Sequence, residues 1–339
     1  MRPKVFISHW MPEIGVNIIK EHCDVDYYDG TIPLEKKELI ERAKDKDALV
    51  CFVPDIIDRE VLEECSNLKV ISSFGKGYDN IDIEACTDHN VLVLINKQAL
   101  TESTADLAIG LLLSMSRKIL LGDHHVRSGE FNGWHAKKYL GKDFHHSKLG
   151  IIGLGEIGQA IVKRAMGFDA EISYYDRHRV KDFEKEYTIH YESNLYELLR
   201  KNDFIIVAVN LNPGTYHLIG KDELDVINPN SILINISRGS AVDEEAIAES
   251  LQNGKLFGYA SDVFEFEDSM NENKKNYINE SLLLSKGKTV FTPHIGTGTI
   301  EAREQLAIST ANQLVLALHG EKPNGAINDE RIEMFQTTN

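Results

Sequence analysis

The sequence predicts an α/β protein built from two doubly wound parallel-sheet domains. Two observations carry this. Short apolar runs alternate with helical patterns along the chain, and the 339 residues are enough for about two domains. A glycine-rich turn, Gly153-Leu154-Gly155-Glu156-Ile157-Gly158, lies between an apolar run and a helix-like segment, and it stands mid-chain.

The first hundred residues set the rhythm. KVFIS (4–8), ALVCFV (48–53), LKVISSF (68–74) and VLVLIN (91–96) read as buried strands. A helical pattern opens at Pro12 and ends near Cys23, and a short helix begins near Ile81. Residues 101–127 read as one long helix, apolar almost all round, and so buried between domains or at a subunit interface. An aromatic and basic loop follows at 131–144. Further strands are DFIIVAV (203–209), SILINIS (231–237), FGYASDVF (257–264) and TVFTPH (289–294). Between them a helix runs over 243–253, opening on Asp-Glu-Glu as a helix N-terminus prefers. Residues 265–288 read as a loop with one helical turn. A closing helix over 299–319 returns the chain to the first domain, and the tail after 320 adds a strand or drapes over the surface.

The stretch 149–176, LGIIGLGEIGQAIVKRAMGFDAEISYYD, has the order a dinucleotide site requires. Gly153 makes the tight turn, Gly155 lets backbone approach a pyrophosphate, and Gly158 lets the helix pack against the strand. Free N–H groups around Glu156 and Ile157 then face phosphate oxygens. Asp176 follows by about the 20 residues that put an acid on the adenosine ribose. That acid suits the 2′-hydroxyl of NAD, while Arg177, His178 and Arg179 come next, and an arginine accommodates the extra phosphate of NADP. NAD is expected, with some NADP use.

Composition excludes other classes. A formal net charge of −16 argues against nucleic acid or an anionic membrane as partner. Cys23, Cys51, Cys65 and Cys86 are scattered without a CxxC, as in a reducing, cytoplasmic setting. No signal peptide and no run of about 20 apolar residues is read.

Three charged residues stand just past strand ends, where open α/β sheets bind ligands: Arg238, Glu267 and His294. An arginine there forks an anion, and a carboxylate beside a histidine orients the ring as an acid/base. Each alone is equally a surface charge. The loop Gly75-Lys76-Gly77 reads either as a tight turn with a solvated lysine or as an anion site using the ammonium and backbone N–H groups. Arg303 is either a third cation or a solvated helix residue. The pairs His124-His125 and His145-His146 are adjacent, and neighbouring side chains diverge on a helix or strand, so no metal site is expected.

The motifs GLGEIG, NISRGS, DVFEFED and TPHIG make the chain resemble the D-isomer-specific 2-hydroxyacid dehydrogenases over nearly its full length. The resemblance implies two Rossmann-like domains, with an NAD-binding domain (101–295) inserted into a substrate domain (1–100 plus 296–339). It implies a triad of Arg238, Glu267 and His294, and cofactor contacts from Thr104, Val209, Asn210, Ile236, Ser237, Asp262, His294 and Thr297. It also implies a homodimer through the long helix. Within the family, GKGYDN, the Asp268 after Glu267, VRSGEFNGW, Tyr139 and Arg303 resemble the phosphite-oxidising subgroup. Val53 departs from it, since that subgroup tends to carry methionine there.

On this resemblance the expected reaction is NAD-dependent oxidation of phosphite to phosphate. Lys76, Gly77, Arg238 and Arg303 hold the anion. Tyr139 and Val53 line the pocket, with Trp134 reaching in from its own or a partner subunit. His294 or a nearby arginine activates water. The alternatives are a 2-hydroxyacid dehydrogenase of the glyoxylate or hydroxypyruvate reductase type, and a nucleotide-sensing protein like the corepressors built on this fold.

Overall fold

The computed structural model describes residues 2–97, 101–268 and 277–333. The chain divides into two compact units, Met1–Leu100 with Thr297–Asn339, and Thr101–Gly296. The first carries β1 (Lys4–Ile7), α1 (Glu13–His22), β2 (Asp24–Tyr27), α2 (Lys36–Ala43), β3 (Ala48–Cys51), α3 (Arg59–Glu64), β4 (Val70–Ser73), α4 (Ile83–Asp88) and β5 (Leu92–Leu94). The second carries α5 (Thr101–Ser116), α6 (Ile119–Arg127), β6 (Lys148–Ile152), α7 (Glu156–Ala165), β7 (Glu171–Tyr175), α8 (Lys181–Glu186), β8 (His190–Tyr191) and α9 (Leu195–Lys201). It continues through β9 (Phe204–Val207), α10 (Lys221–Val226), β10 (Ile232–Asn235), α11 (Glu244–Gln252), β11 (Gly258–Ser261), α12 (Glu280–Leu284) and β12 (Thr289–Phe291). Helix α13 (Ile300–Leu318) then belongs to the first unit.

Both sheets are parallel. Their strand orders are β2-β1-β3-β4-β5 and β12-β11-β10-β9-β6-β7-β8. Each order reverses once, at β1/β3 and at β6/β9, and such switch points open a crevice beyond the strand C-termini. The inner strands read as unbroken apolar runs because helices cover both faces. In β1, Val5 and Ile7 pack under α1 and α13 with Val16, Ile19 and Leu306, while Phe6 points to the opposite layer with Leu49, Val61 and Leu62. In the second sheet Ile151, Ile206 and Ile234 face Ala105, Leu112 and Ile161, and Ile205, Val207 and Leu233 face Leu198, Leu224 and Ile247.

The expected single helix over 101–127 is two. Lys118 adopts φ 56°, and α6 starts anew after it. The Lys142 N–H takes the Ser116 carbonyl at 2.8 Å, a group that a continuing helix would pair with residue 120. The apolar side of α5 is buried within its own unit, against α7, β10 and β11. All four cysteines are buried free thiols. Among the described residues no helix is long and apolar enough to cross a membrane.

Candidate active site

The glycine turn leaves β6 at the switch point of the second sheet. Gly153 has φ +95°, and a Cβ there would lie 2.6 Å from the Ala208 carbonyl oxygen on the neighbouring chain segment after β9. At Gly158 a Cβ would lie 2.2 Å from the Gly153 oxygen, so helix and turn touch backbone to backbone. At Gly155 nothing lies within 4 Å. Two glycines are therefore required by the fold itself, and the third keeps space open at the N-terminus of α7. Gly155 caps that helix without any side-chain bond, and the positive, N–H-bearing end of α7 is the end that favours an anion. Asp176, just past β7, accepts from the Leu154 N–H at 2.8 Å and from the His178 N–H at 3.0 Å, so its carboxylate is held beside the turn. Arg179 is engaged by Glu184 at 2.8 Å, while Arg177 is exposed. These residues fit a dinucleotide: a phosphate cradle, and a ribose acid pinned next to it.

The chemistry-bearing loops follow β10, β11 and β12. After β10, buried Asn235 accepts from the Ser237 N–H and hydroxyl at 3.1 and 2.8 Å and donates to the Arg238 carbonyl at 2.8 Å. That clasp fixes Ile236, Ser237 and Arg238, whose guanidinium also donates to the Ser237 carbonyl at 3.0 Å. Gly239 then packs onto the Phe264–Glu265 peptide so closely that a Cβ would overlap it at 1.9 Å. The Arg238 and Glu267 loops are brought together by this contact.

His294 Nδ1 lies 2.7 Å from Glu267 Oε2, and Glu267 Oε1 accepts the Phe264 N–H at 2.7 Å. Both oxygens of the acid are thus committed, and one of them orients the ring. The His294 backbone sits at φ 54°, a conformation costly for a non-glycine residue, and its neighbours enforce it. Asp262, 2% exposed, accepts from the Thr292 hydroxyl at 2.6 Å and from the Ile295 and Gly296 N–H groups at 2.8 Å each. Its burial raises its pKa, against the pull of those donors and of His294. The His294 N–H also donates to the Asp262 carbonyl at 2.8 Å. Thr104, in the first turn of α5, closes on this loop: a Cβ at Gly296 would lie 3.2 Å from its Oγ1.

In the first unit, Val53, Lys76 and Gly77 follow β3 and β4. Lys76 is half-buried and Val53 is 40% exposed. The Asn96 N–H bonds the Gly75 carbonyl at 2.9 Å, which anchors the loop. Arg303 stands one turn into α13, and burial lowers its pKa. It lies near enough to His9, just past β1, to add to the burial that keeps that ring's pKa low. Thr297 is half-buried at the start of the same returning segment.

The structure keeps Trp134 and Tyr139 with the second unit, 87% and 39% exposed. Tyr139 packs at 5.4 Å from the buried His125 ring. Val209 is half-buried and Asn210 exposed, beside the glycine turn. Asp268 is 2% exposed and accepts the Ser240 N–H at 2.6 Å, so the acid that follows Glu267 supports the Arg238 loop. Sequence reasoning missed Asn235, Gly239, Asp268 in that role, and His9. A polar residue ending the apolar run SILIN was the available signal for Asn235.

A family description fits this geometry. Residues 109–296 match the NAD binding domain of the D-isomer specific 2-hydroxyacid dehydrogenases. The chain belongs to that family. It is 40% identical over 338 residues to a glyoxylate reductase of Pyrococcus horikoshii, covering 98% of each chain. It is 41% identical over 334 residues to one of Thermococcus litoralis, covering 97% of this chain and 98% of the other. Among solved structures, a Thermus thermophilus protein superimposes with TM-score 0.86 at 32% identity, over 96% of this chain and 99% of that one. A glyoxylate reductase from Paecilomyes thermophila does so with TM-score 0.83 at 26% identity, over 97% and 99%. The matched residues all lie in the second unit. These relatives favour the 2-hydroxyacid alternative over phosphite oxidation.

Proposed function

We propose that this protein reduces a small 2-oxo acid, of the glyoxylate or hydroxypyruvate type, to the D-2-hydroxy acid with NADH, and runs the reverse oxidation. The observation that carries the reading is the His294–Glu267 pair, 2.7 Å apart, on loops clasped to the one bearing Arg238. When bound, the nicotinamide supplies the hydride. The Arg238 guanidinium forks the substrate carboxylate and polarises its carbonyl. His294 Nε2 donates the proton that the nascent alkoxide takes up, and Glu267 orients the ring from the Nδ1 side. Lys76, the Gly77 N–H and Arg303 are the proposed anion-binding groups of the substrate domain, with Val53 at its rim. Thr104, Val209, Asn210, Ile236, Ser237, Asp262 and Thr297 are the proposed cofactor contacts beside the glycine turn.

Asp176 supports a preference for NAD, and exposed Arg177 supports residual NADP use. Equal or better kcat/KM with NADP would show that the arginine outweighs the acid.

We also propose a homodimer through α6 and the segment after it. Ile119, Val126, Phe131, Trp134 and Leu140 are 50, 58, 56, 87 and 69% exposed, a concentration of apolar surface that a partner subunit would cover. In that arrangement Trp134 is the residue offered to the partner's substrate.

Phosphite oxidation stays a second reading on one observation, the half-buried lysine at position 76. Parallel assays decide: NADH consumption with glyoxylate and hydroxypyruvate, against NADH formation with NAD and phosphite.

A further inference from the structure

We propose that His145, His146 and Asp169 form a binding site for a divalent transition metal of zinc type, at the end of the second sheet away from the catalytic loops. Adjacent histidines diverge on a helix or strand, but this pair lies on neither. His146 adopts φ 57°, which turns the two rings toward each other, with centroids 3.7 Å apart. Asp169 adopts φ 53°. Strands β6 and β7 pair with Lys148 opposite Glu171, so the residues two places before each, 146 and 169, come face to face. The His146 N–H donates to the Phe168 carbonyl at 3.2 Å, and the Glu171 N–H to the Ser147 carbonyl at 2.8 Å, which laces the two segments together.

One donor atom from each of the three side chains lies within 4.8 Å of the other two, and His145 Nδ1 is 3.8 Å from Asp169 Oδ2. Donors bound tetrahedrally at about 2.1 Å stand roughly 3.4 Å apart, so small side-chain rotations close the site. Two imidazoles and a carboxylate suit zinc among the available divalent ions, and no thiolate is offered that would favour softer metals. His145 and Asp169 are 61 and 68% exposed, which leaves the ion accessible and one position open to water.

The test is zinc titration of the full chain without an affinity tag, read by competition with a zinc-responsive dye and by Tm. Wild type should take up one saturable equivalent at this site and gain Tm with added zinc. His145→Ala, His146→Gly and Asp169→Asn should each weaken that equivalent by roughly 10-fold or more. The glycine keeps the left-handed turn and the asparagine tolerates it, so both variants should stay folded without zinc. Activity should not change, because the site is remote from the catalytic loops of its own domain. The proposal is overturned if wild type shows no saturable uptake, or if all three variants bind zinc as wild type does.

Discussion

In the proposed reaction His294 and Glu267 divide one task between them. The acid is held by a backbone N–H on one oxygen and holds the ring with the other, so it acts through the imidazole and does not need to meet the substrate. His294→Ala should lower kcat by roughly 10²- to 10⁴-fold. Glu267→Gln should also lower kcat, and should move the pH profile of kcat/KM, because Nδ1 of the ring loses its carboxylate partner. An unchanged profile would reduce Glu267 to a loop anchor. A second acid gives a prediction of a different kind. Glu244, 6% exposed, accepts the Glu265 N–H at 2.8 Å, and burial, then the Glu265 carboxylate, push its pKa from 4.5 to about 7. The folded form therefore holds its proton longer than the unfolded chain does. The resulting penalty is absent below the unfolded pKa, grows as pH rises toward the folded value, and is complete above it. Glu244→Gln should raise Tm by several degrees at about pH 8 and leave it nearly unchanged at about pH 4, as thermal melts would show.

At the scale of elements, the glycine turn separates fold from function. Gly153→Ala meets both a left-handed backbone and a carbonyl 2.6 Å away, and should cost stability outright. Gly155→Val meets open space in an extended conformation. It should melt within a degree or two of wild type yet lose roughly 10-fold or more in NADH affinity by fluorescence titration, because its side chain fills the phosphate approach. This unit was legible in the sequence because each glycine has a reason that spacing reveals. The same holds for the strands buried on both faces. Half-exposed β2, with its two aspartates, and two-residue β8 lack that apolar run and carry no comparable signal. The break at Lys118 was hidden too, since its cause is a hydrogen bond from Lys142, a residue distant in sequence. Left-handed His146 and His294 could not be read from composition either, as long-range neighbours impose both conformations.

For the whole molecule, membership of the family and the two parallel-sheet units follow from residues spread along the entire chain. Substrate identity does not. The GKG and FEFED text points toward phosphite, yet the structure gives Asp268 a scaffolding task, and relatives about 40% identical over nearly the whole chain are glyoxylate reductases. A motif reads as specificity only when its side chain is left for the ligand. The proposed dimer is tested at this scale: sedimentation of wild type should give twice the 38.2 kDa chain mass, and Val126→Asp with Leu140→Asp should shift it toward the monomer. The most direct measurement of the central claim is kcat/KM for glyoxylate and hydroxypyruvate with NADH, set beside that for phosphite with NAD. The account predicts turnover of a 2-oxo acid at least roughly 100-fold more efficient than that of phosphite, a margin of about 3 kcal/mol in transition-state binding. Phosphite-dependent NADH formation that outpaces both 2-oxo acids would contradict it.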